Sequence, residues 1–326
     1  MARDRPGTVF RAAALAAWLW AVPAVAAEPV WIDTDAACGP VSTQDADDCW
    51  ALYLAHTSPE LDVRGVGSVF GNVGVDEAHR IARRVVSRFV ASPGVPVYTG
   101  AAVPLAELTA ETPAVMALAD ALEAERLTLI ALGPLTNVAD LLRRHPGLAP
   151  RIRGVVAVAG PPPDSGFAFP AGRARVLQFH DLNFRNDSDA FEAVLKAGVP
   201  VTLMPFETTT QVTILAADVA ALRGAGPGGR WLADQSVAWL SFWETALGAE
   251  GFHPFDALAL GTVVRPGWFD CPQRHARVVH GRSRFVHSRP TLEVGDDLPG
   301  GAPVRYCRAV DRRFKALLLE RLSGAP

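Results

Sequence analysis

Lysine is almost missing from this chain: Lys196 and Lys315 are the only two among 326 residues, and neither sits in a motif. That counts against any chemistry needing a lysine to grip a phosphate. A strong charge of either sign is missing too. The formal net charge is -3, with 31 Lys and Arg against 34 Asp and Glu. Such a balance gives no electrostatic basis for binding nucleic acid or an anionic membrane. No Ser/Gly/Pro-rich linker, charge run or internal repeat divides the sequence. One domain over residues 28–326 is therefore expected, of a size that can bury a large core. Cysteine is sparse: Cys38, Cys49, Cys271 and Cys307. An even count permits two disulfides. Pairing by neighbourhood joins Cys38 to Cys49 and Cys271 to Cys307; four free thiols are the alternative.

Only one long apolar run occurs, from Ala12 to Ala27, after Arg3, Arg5 and Arg11. It is short for a membrane span. Ala24-Val25-Ala26 supplies a small-x-small cleavage pattern, so residues 1–27 read as a secretory signal peptide. The mature protein is expected outside the cytoplasm, periplasmic or secreted, with no membrane association after cleavage.

What the chain does have is an acidic cluster at the start of the mature sequence. Asp33-Thr34-Asp35 follows the strand-like Pro29-Val30-Trp31-Ile32, and Asp45-Ala46-Asp47-Asp48 leads into the helical Cys49-Trp50-Ala51-Leu52. Carboxylates at a strand end and the next helix start share one edge of a sheet. There they repel one another unless a cation sits among them. Oxygen ligands suit a hard divalent ion such as calcium or magnesium. The plainer alternative is an acidic turn capping a helix. Asp45 fits a cap slightly better than an extra acid of the site.

Further on, apolar strands alternate with amphipathic helices. Strands are expected over Leu61–Phe70, Val95–Tyr98, Leu127–Leu132, Gly154–Ala159 and Val199–Pro205. Helices are expected over Asp76–Val90, Thr112–Glu125, Leu135–Arg144 and Asp187–Ala197. This pattern means an α/β fold with a mainly parallel central sheet covered by helices on both faces. Ligands in such sheets bind beyond the carboxyl ends of the strands. Polar signals fall there repeatedly: Asp35, Asn72, Gly133, Gly160 and Glu207. Arg274 to Cys307 reads as a β-hairpin excursion, followed by a helix from Asp311 to Leu322.

At this point the sequence resembles the inosine-uridine nucleoside hydrolase family. Five fragments carry the resemblance in collinear order. They are Asp33-Thr34-Asp35 with Asp47-Asp48-Cys49-Trp50-Ala51-Leu52, then Gly71-Asn72, Ala131 to Asn137, Asp181 to Ala190, and Phe255-Asp256-Ala257-Leu258-Ala259. The resemblance implies a nucleoside hydrolase-like fold with a Rossmann-like core. It also implies cleavage of the N-glycosidic bond of small-molecule ribonucleosides with a tightly bound calcium. In that light Asp35, Asp48 and Asp256 would bind the ion through carboxylates and Leu132 through its backbone carbonyl. Asp35 would also act as the general base. Asp47, Asn72, Asp181 and Asn183 would hold the sugar. A homodimer or homotetramer is what such relatives commonly form.

Three departures stand out. An extra run from Ala36 to Ala46 separates the acidic pairs. Phe255 stands where many members have a His that assists the departing base, an aromatic also carried by some purine-preferring relatives. It is a substrate-binding candidate. His253, two residues before it, is the candidate to compensate, and His180 is another. Gly160 to Gln178 is long and rich in Pro, Gly and Ala, with Arg173 and Arg175 in it. Trp231, Trp239, Phe242 and Trp243 suit a buried helix face better than a base-stacking wall. Two rival readings follow: a nucleoside or sugar receptor without turnover, or a metal-dependent phosphohydrolase with an Asp nucleophile.

Overall fold

In a computed structural model, residues 26–41, 44–89, 94–160, 181–280 and 289–324 are described. Arg173, Arg175, His180 and nearly all of the Gly160–Gln178 run lie outside them, as does the N-terminal stretch up to residue 25, where the signal peptide is expected. Among the described residues no helix is long and apolar enough to cross a membrane.

The apolar runs pair into one sheet. β1 (Glu28–Thr34), β2 (Leu61–Ser68), β3 (Val97–Tyr98), β4 (Leu127–Ala131), β5 (Ile152–Val158) and β6 (Val201–Met204) lie in the order β3-β2-β1-β4-β5-β6. All these neighbours are parallel. Pro29 to Thr34 is buried throughout, as a strand covered on both faces must be. The chain runs outward from β1 to β2 and β3, then returns to place β4 on the other side of β1. β1 and β4 therefore flank a switch point, where open α/β sheets form their ligand crevice.

The C-terminal strands extend this sheet. Ala302–Tyr306 runs parallel beside β6, and Gln273–Val279 pairs antiparallel with it and with Thr291–Gly295 at the outer edge. The expected C-terminal hairpin is present, and its strands continue the sheet at its outer end. Hydrophobic periodicity cannot foresee this, because strand pattern does not name a partner.

Helices α1 (Asp47–Thr57) and α2 (Val75–Phe89) cover one face together with Phe255–Val264 and Arg313–Ser323. On the other face lie α3 (Pro113–Ala124) and α4 (Thr136–Arg144), then, after the short α5 (Leu182–Asn186), α6 (Ser188–Lys196). Every residue from Asp47 to Ala55 is buried, so α1 is a core helix rather than a surface one. Cys38–Cys49 and Cys271–Cys307 are both disulfide-bonded, in the pairing expected from neighbourhood. The first ties the extra loop to α1 beside the acids. The second ties the end of the strand Ala302–Tyr306 to the segment leading into Gln273–Val279.

Candidate active site

β1 aims Trp31 and Asp33 to one face of the sheet and Thr34 to the other. Trp31 Nε1 donates to Asp33 Oδ1 at 2.9 Å, while the Thr34 hydroxyl donates to Asp48 Oδ1. Asp35 lies just past the strand end and accepts from the Asn72 amide at 2.8 Å through Oδ2. The backbone must come close to this carboxylate from two sides. A Cβ on Gly71 would collide with Asp35 Oδ2, and one on Gly133 would stand 2.9 Å from Asp35 Cγ. Glycine at both strand ends is thus a steric requirement of the site.

Asp47 and Asp48 form the first turn of α1, where the helix dipole favours negative charge. Asp45 is not the N-cap residue, which is Ala46, yet Asp45 Oδ1 accepts from the Asp47 amide at 3.1 Å. It both supports the helix start and adds charge to the cluster. Asp256, in the first turn of Phe255–Val264, arrives from the other end of the chain. One carboxylate oxygen each from Asp47, Asp48 and Asp256 lies within 4.8 Å of the others. Ligands at about 2.3–2.6 Å from a calcium ion stand at most about 5 Å apart across it, so the spacing fits such an ion. Asp47, expected at the sugar, stands inside this triad. Asp35 stands beside it, its charge repelled by that of Asp48 and acting against that of Asp256.

The cluster has no positive partner: among the described residues none of these four acids forms an ion pair with Lys, Arg or His. Asp35 Oδ1 and Asp48 Oδ2 are buried with no hydrogen-bond partner. Burial, then neighbouring charge, pushes the Asp35, Asp47 and Asp256 carboxyls well above the ordinary range. Burial raises Asp48 to about 7 against the hydrogen bonds from Thr34 and Asn72, and raises Asp33 to about 7. Orphaned, mutually repelling oxygens with hard-ligand chemistry are what a divalent cation satisfies.

The neighbouring strand ends complete the edge. Asn183 Nδ2 donates to the Leu132 carbonyl at 2.6 Å and to the Val158 carbonyl at 3.0 Å. Asp181 caps α5, accepting from the Phe184 amide at 2.9 Å and the Gly160 amide at 2.7 Å. Burial lifts it to about 6 against those backbone bonds. The Asn72 side chain, exposed at the rim, reaches Asp48.

Next to Asp256 stands an aromatic wall. The Phe255 ring lies 5.2 Å from Phe206, 6.0 Å from His253 and 6.1 Å from Trp243. His253 is 7% exposed, its Nδ1 is 2.9 Å from the Val212 carbonyl, and burial lowers its pKa. A carbonyl only accepts, so Nδ1 carries the proton. A second proton, needed for His253 to act as an acid, is opposed by burial. Trp231 and Trp243 are buried, as expected, but Trp243 also backs the wall.

Several supporting residues carried no sequence expectation. Asn137 Oδ1 accepts from the Ala101 amide at 2.8 Å and its Nδ2 donates to the Ser68 carbonyl at 3.0 Å, joining β2 to α4. Asp187 caps α6 and accepts from the Thr136 hydroxyl at 2.6 Å. Their signals, an Asn opening α4 and an Asp at a helix start, are readable only as local caps.

The fold is shared with solved nucleoside hydrolases. A purine-preferring ribonucleoside hydrolase from Gardnerella vaginalis superposes with a TM-score of 0.75 at 21% identity, covering 91% of this chain and 98% of that one. A plant nucleoside hydrolase gives 0.74 at 22% identity, covering 91% and 99%. Among sequence relatives, the non-specific ribonucleoside hydrolase RihC of Escherichia coli O17:K52:H18 is 28% identical over 313 residues, 88% of this chain and 94% of its own length. The RihC of Escherichia fergusonii is 27% identical over 324 residues, 91% and 99%. A parallel sheet with an acid-lined switch point, in this company, defines a hydrolase acting on N-glycosyl bonds. More narrowly, the chain belongs to the inosine-uridine preferring nucleoside hydrolase family, whose sequence pattern matches residues 30–314.

Proposed function

We propose that the protein hydrolyses the N-glycosidic bond of ribonucleosides to ribose and free base, with one calcium ion held by Asp35, Asp48, Asp256 and the Leu132 carbonyl. The observation that carries this reading is the buried acid cluster with orphaned oxygens and, among the described residues, no cationic side chain paired with it. Bound calcium supplies a Lewis acid for the sugar's vicinal hydroxyls and acidifies a water. Asp35 accepts the proton of the attacking water through its unpartnered Oδ1. Asp47 takes a ribose hydroxyl, and Asn72, Asp181 and Asn183 hold the ring in place. Positive charge builds on the ribosyl ring as the bond breaks, and the surrounding carboxylates stabilise it. Phe255, stacked on Phe206, offers the base an aromatic face. With an acid role for His253 opposed by burial, we assign it to orienting that wall.

Loss of residues 1–27 on export, one catalytic domain over 28–326 and self-association into a dimer or tetramer complete the reading. The two disulfides support an oxidising location.

The test is ribose release from inosine, uridine, adenosine and guanosine. Turnover is expected with at least one of them. Asp35→Ala is expected to lower kcat by about 10³-fold or more while leaving the circular dichroism spectrum unchanged. Binding without turnover in the unmutated protein would leave a nucleoside receptor instead, and turnover surviving Asp35→Ala would remove Asp35 as the base.

A further inference from the structure

Between Asp35 and Asp47 the chain inserts Ala36 to Ala46, so acids of the cluster stand at both ends of the insertion. No strand or helix forms within it among the described residues. The backbone hydrogen bond there joins the Gln44 amide to the Val41 carbonyl at 2.9 Å. A Cβ on Gly39 would collide with the Gln44 side chain, so the loop folds back on itself. Val41, near its tip, is exposed, while Ala36, Ala37 and Cys38 at its root are buried. A loop with so few hydrogen bonds depends on its anchors for order.

The anchor is covalent. Cys38 follows close on Asp35, and Cys49 stands next to Asp48. Their disulfide spans 11 positions. It ties the stem that carries Asp35 to the stem that carries Asp47 and Asp48. Both cysteines are packed in the core with Ala36, Ala46 and Trp50. The stems also meet directly, because the Asp48 carboxylate accepts from the Asp35 amide. Opening the bridge would leave the order of the loop, and of the acids at its ends, to be imposed when the ion binds, at an entropic cost.

Asp45 is the acid of the insertion that the functional reading does not use. It is half-buried, and its Oδ1 accepts from the Asp47 amide at 3.1 Å. Its charge acts on Asp35, Asp47, Asp48 and Asp256 alike. Without a cation this is one more repelling charge. Beside a divalent cation the sign reverses, and a fixed carboxylate behind the ligands raises affinity without touching the ion. Released from the loop, Asp45 could turn to water, where its charge is screened.

We propose that the Cys38–Cys49 disulfide sets the calcium affinity of the site by holding Asp45 and the two acidic stems in place, so that full affinity is reached only in the disulfide-bonded chain. This rests on the calcium reading above. Asp45 is a positioning residue here, acting on the ion through its charge and through the Asp47 amide. Closing the bridge takes two protons and two electrons from the two thiols; they pass to a disulfide oxidant, which leaves as two thiols. A chain whose thiols are still reduced would hold calcium weakly, which ties a loaded site to an oxidising compartment.

Calorimetric titration of the chelator-treated protein with calcium chloride reads the affinity without turnover. Cys38→Ala/Cys49→Ala, which leaves no unpaired polar group in the core, is expected to weaken the calcium Kd by about tenfold or more. Asp45→Asn keeps the oxygen that accepts from the Asp47 amide and removes only the charge. A loss of about tenfold is expected in the disulfide-bonded chain and of less than about threefold when Cys38 and Cys49 are both alanine. Cys271→Ala/Cys307→Ala opens the bridge beside β6 instead and is expected to change the Kd by less than about twofold. A crosslink serving stability alone would lower the Tm of Cys38→Ala/Cys49→Ala and leave its Kd unchanged. That result overturns the proposal, as do equal losses in the two cysteine variants or an Asp45→Asn effect that ignores the bridge. Asp45→Asn retains both disulfides, so an undiminished affinity there overturns the proposal even where a cysteine variant fails to keep its circular dichroism spectrum. No calcium binding by the unmutated protein would remove the functional reading and this inference together, whereas binding that does not respond to the bridge removes this inference alone.

Discussion

Asp140 and Asp48 are both fully buried, and each sits on a helix packed against the sheet, yet among the described residues only Asp140 has a counter-charge. Arg144 Nε lies 2.9 Å from each Asp140 oxygen and Arg143 Nε 3.1 Å from Oδ1. Both arginines follow Asp140 on the same helix face, at the i+3 and i+4 spacing that brings side chains together. The amino edge of the sheet repeats this habit: Arg153 pairs with Glu28 at 2.8 Å, and Arg265 and Arg321 share Glu60. At the carboxyl edge, Asp35, Asp47, Asp48 and Asp256 crowd together with none among the described residues. One region is built for stability and spends its charge internally. The other holds charge that no described side chain compensates and that a cation from solution can satisfy, which is how a binding site differs from a structural ion pair.

The largest test of that contrast is Asp140→Asn. Replacing the carboxylate by an amide leaves two guanidinium groups without their shared counter-charge, and we expect a loss of about 2–3 kcal/mol, discounted because both arginines reach solvent. Urea unfolding measures it, and an unchanged midpoint would erase the contrast. Asp48→Asn should move stability the opposite way. In chelator-treated protein, deleting one of several repelling charges is expected to add about 1–2 kcal/mol, read in the same assay, while the stabilisation by added calcium disappears.

The smallest effect is on pH dependence. Asp33 and Asp48 have carboxyls raised by burial from 3.8 to about 7. A raised carboxyl stabilises the fold fully below the unfolded value, and that stability is lost as pH rises through the folded value. Chelator-treated protein should therefore show a Tm that falls between pH 4 and 7, while saturating calcium should flatten the profile. A chelated protein with a flat profile would mean that the acids already have partners.

Much of the site is legible in the amino-acid sequence. The Asp33-Thr34-Asp35 and Asp47-Asp48 pairs, Gly71-Asn72 and the Gly133 turn each announce a strand end by local chemistry. They do meet at one edge because parallel strands share their direction. The disulfide pairing follows from sequence neighbourhood. Other features take shape only in the folded chain. Asp47 stands close to Asp48 and Asp256, His253 packs against Phe206, Trp243 and Phe255, and the strands of the C-terminal hairpin extend the sheet. Each depends on what packs beside the residue, and a single segment carries no record of that.

Sequence by itself determined the alternation of strands and helices, the acids beyond β1 and the glycines that leave room for them, since period, charge and backbone freedom are properties of short stretches. Tertiary structure alone decided that Asp256 would meet Asp48, that no arginine among the described residues would reach them, and that Tyr306 would lean over β5 toward Asp181. Those outcomes rest on strand order and helix packing, where distant segments compete for the same neighbours and the burial of the whole core selects the winner.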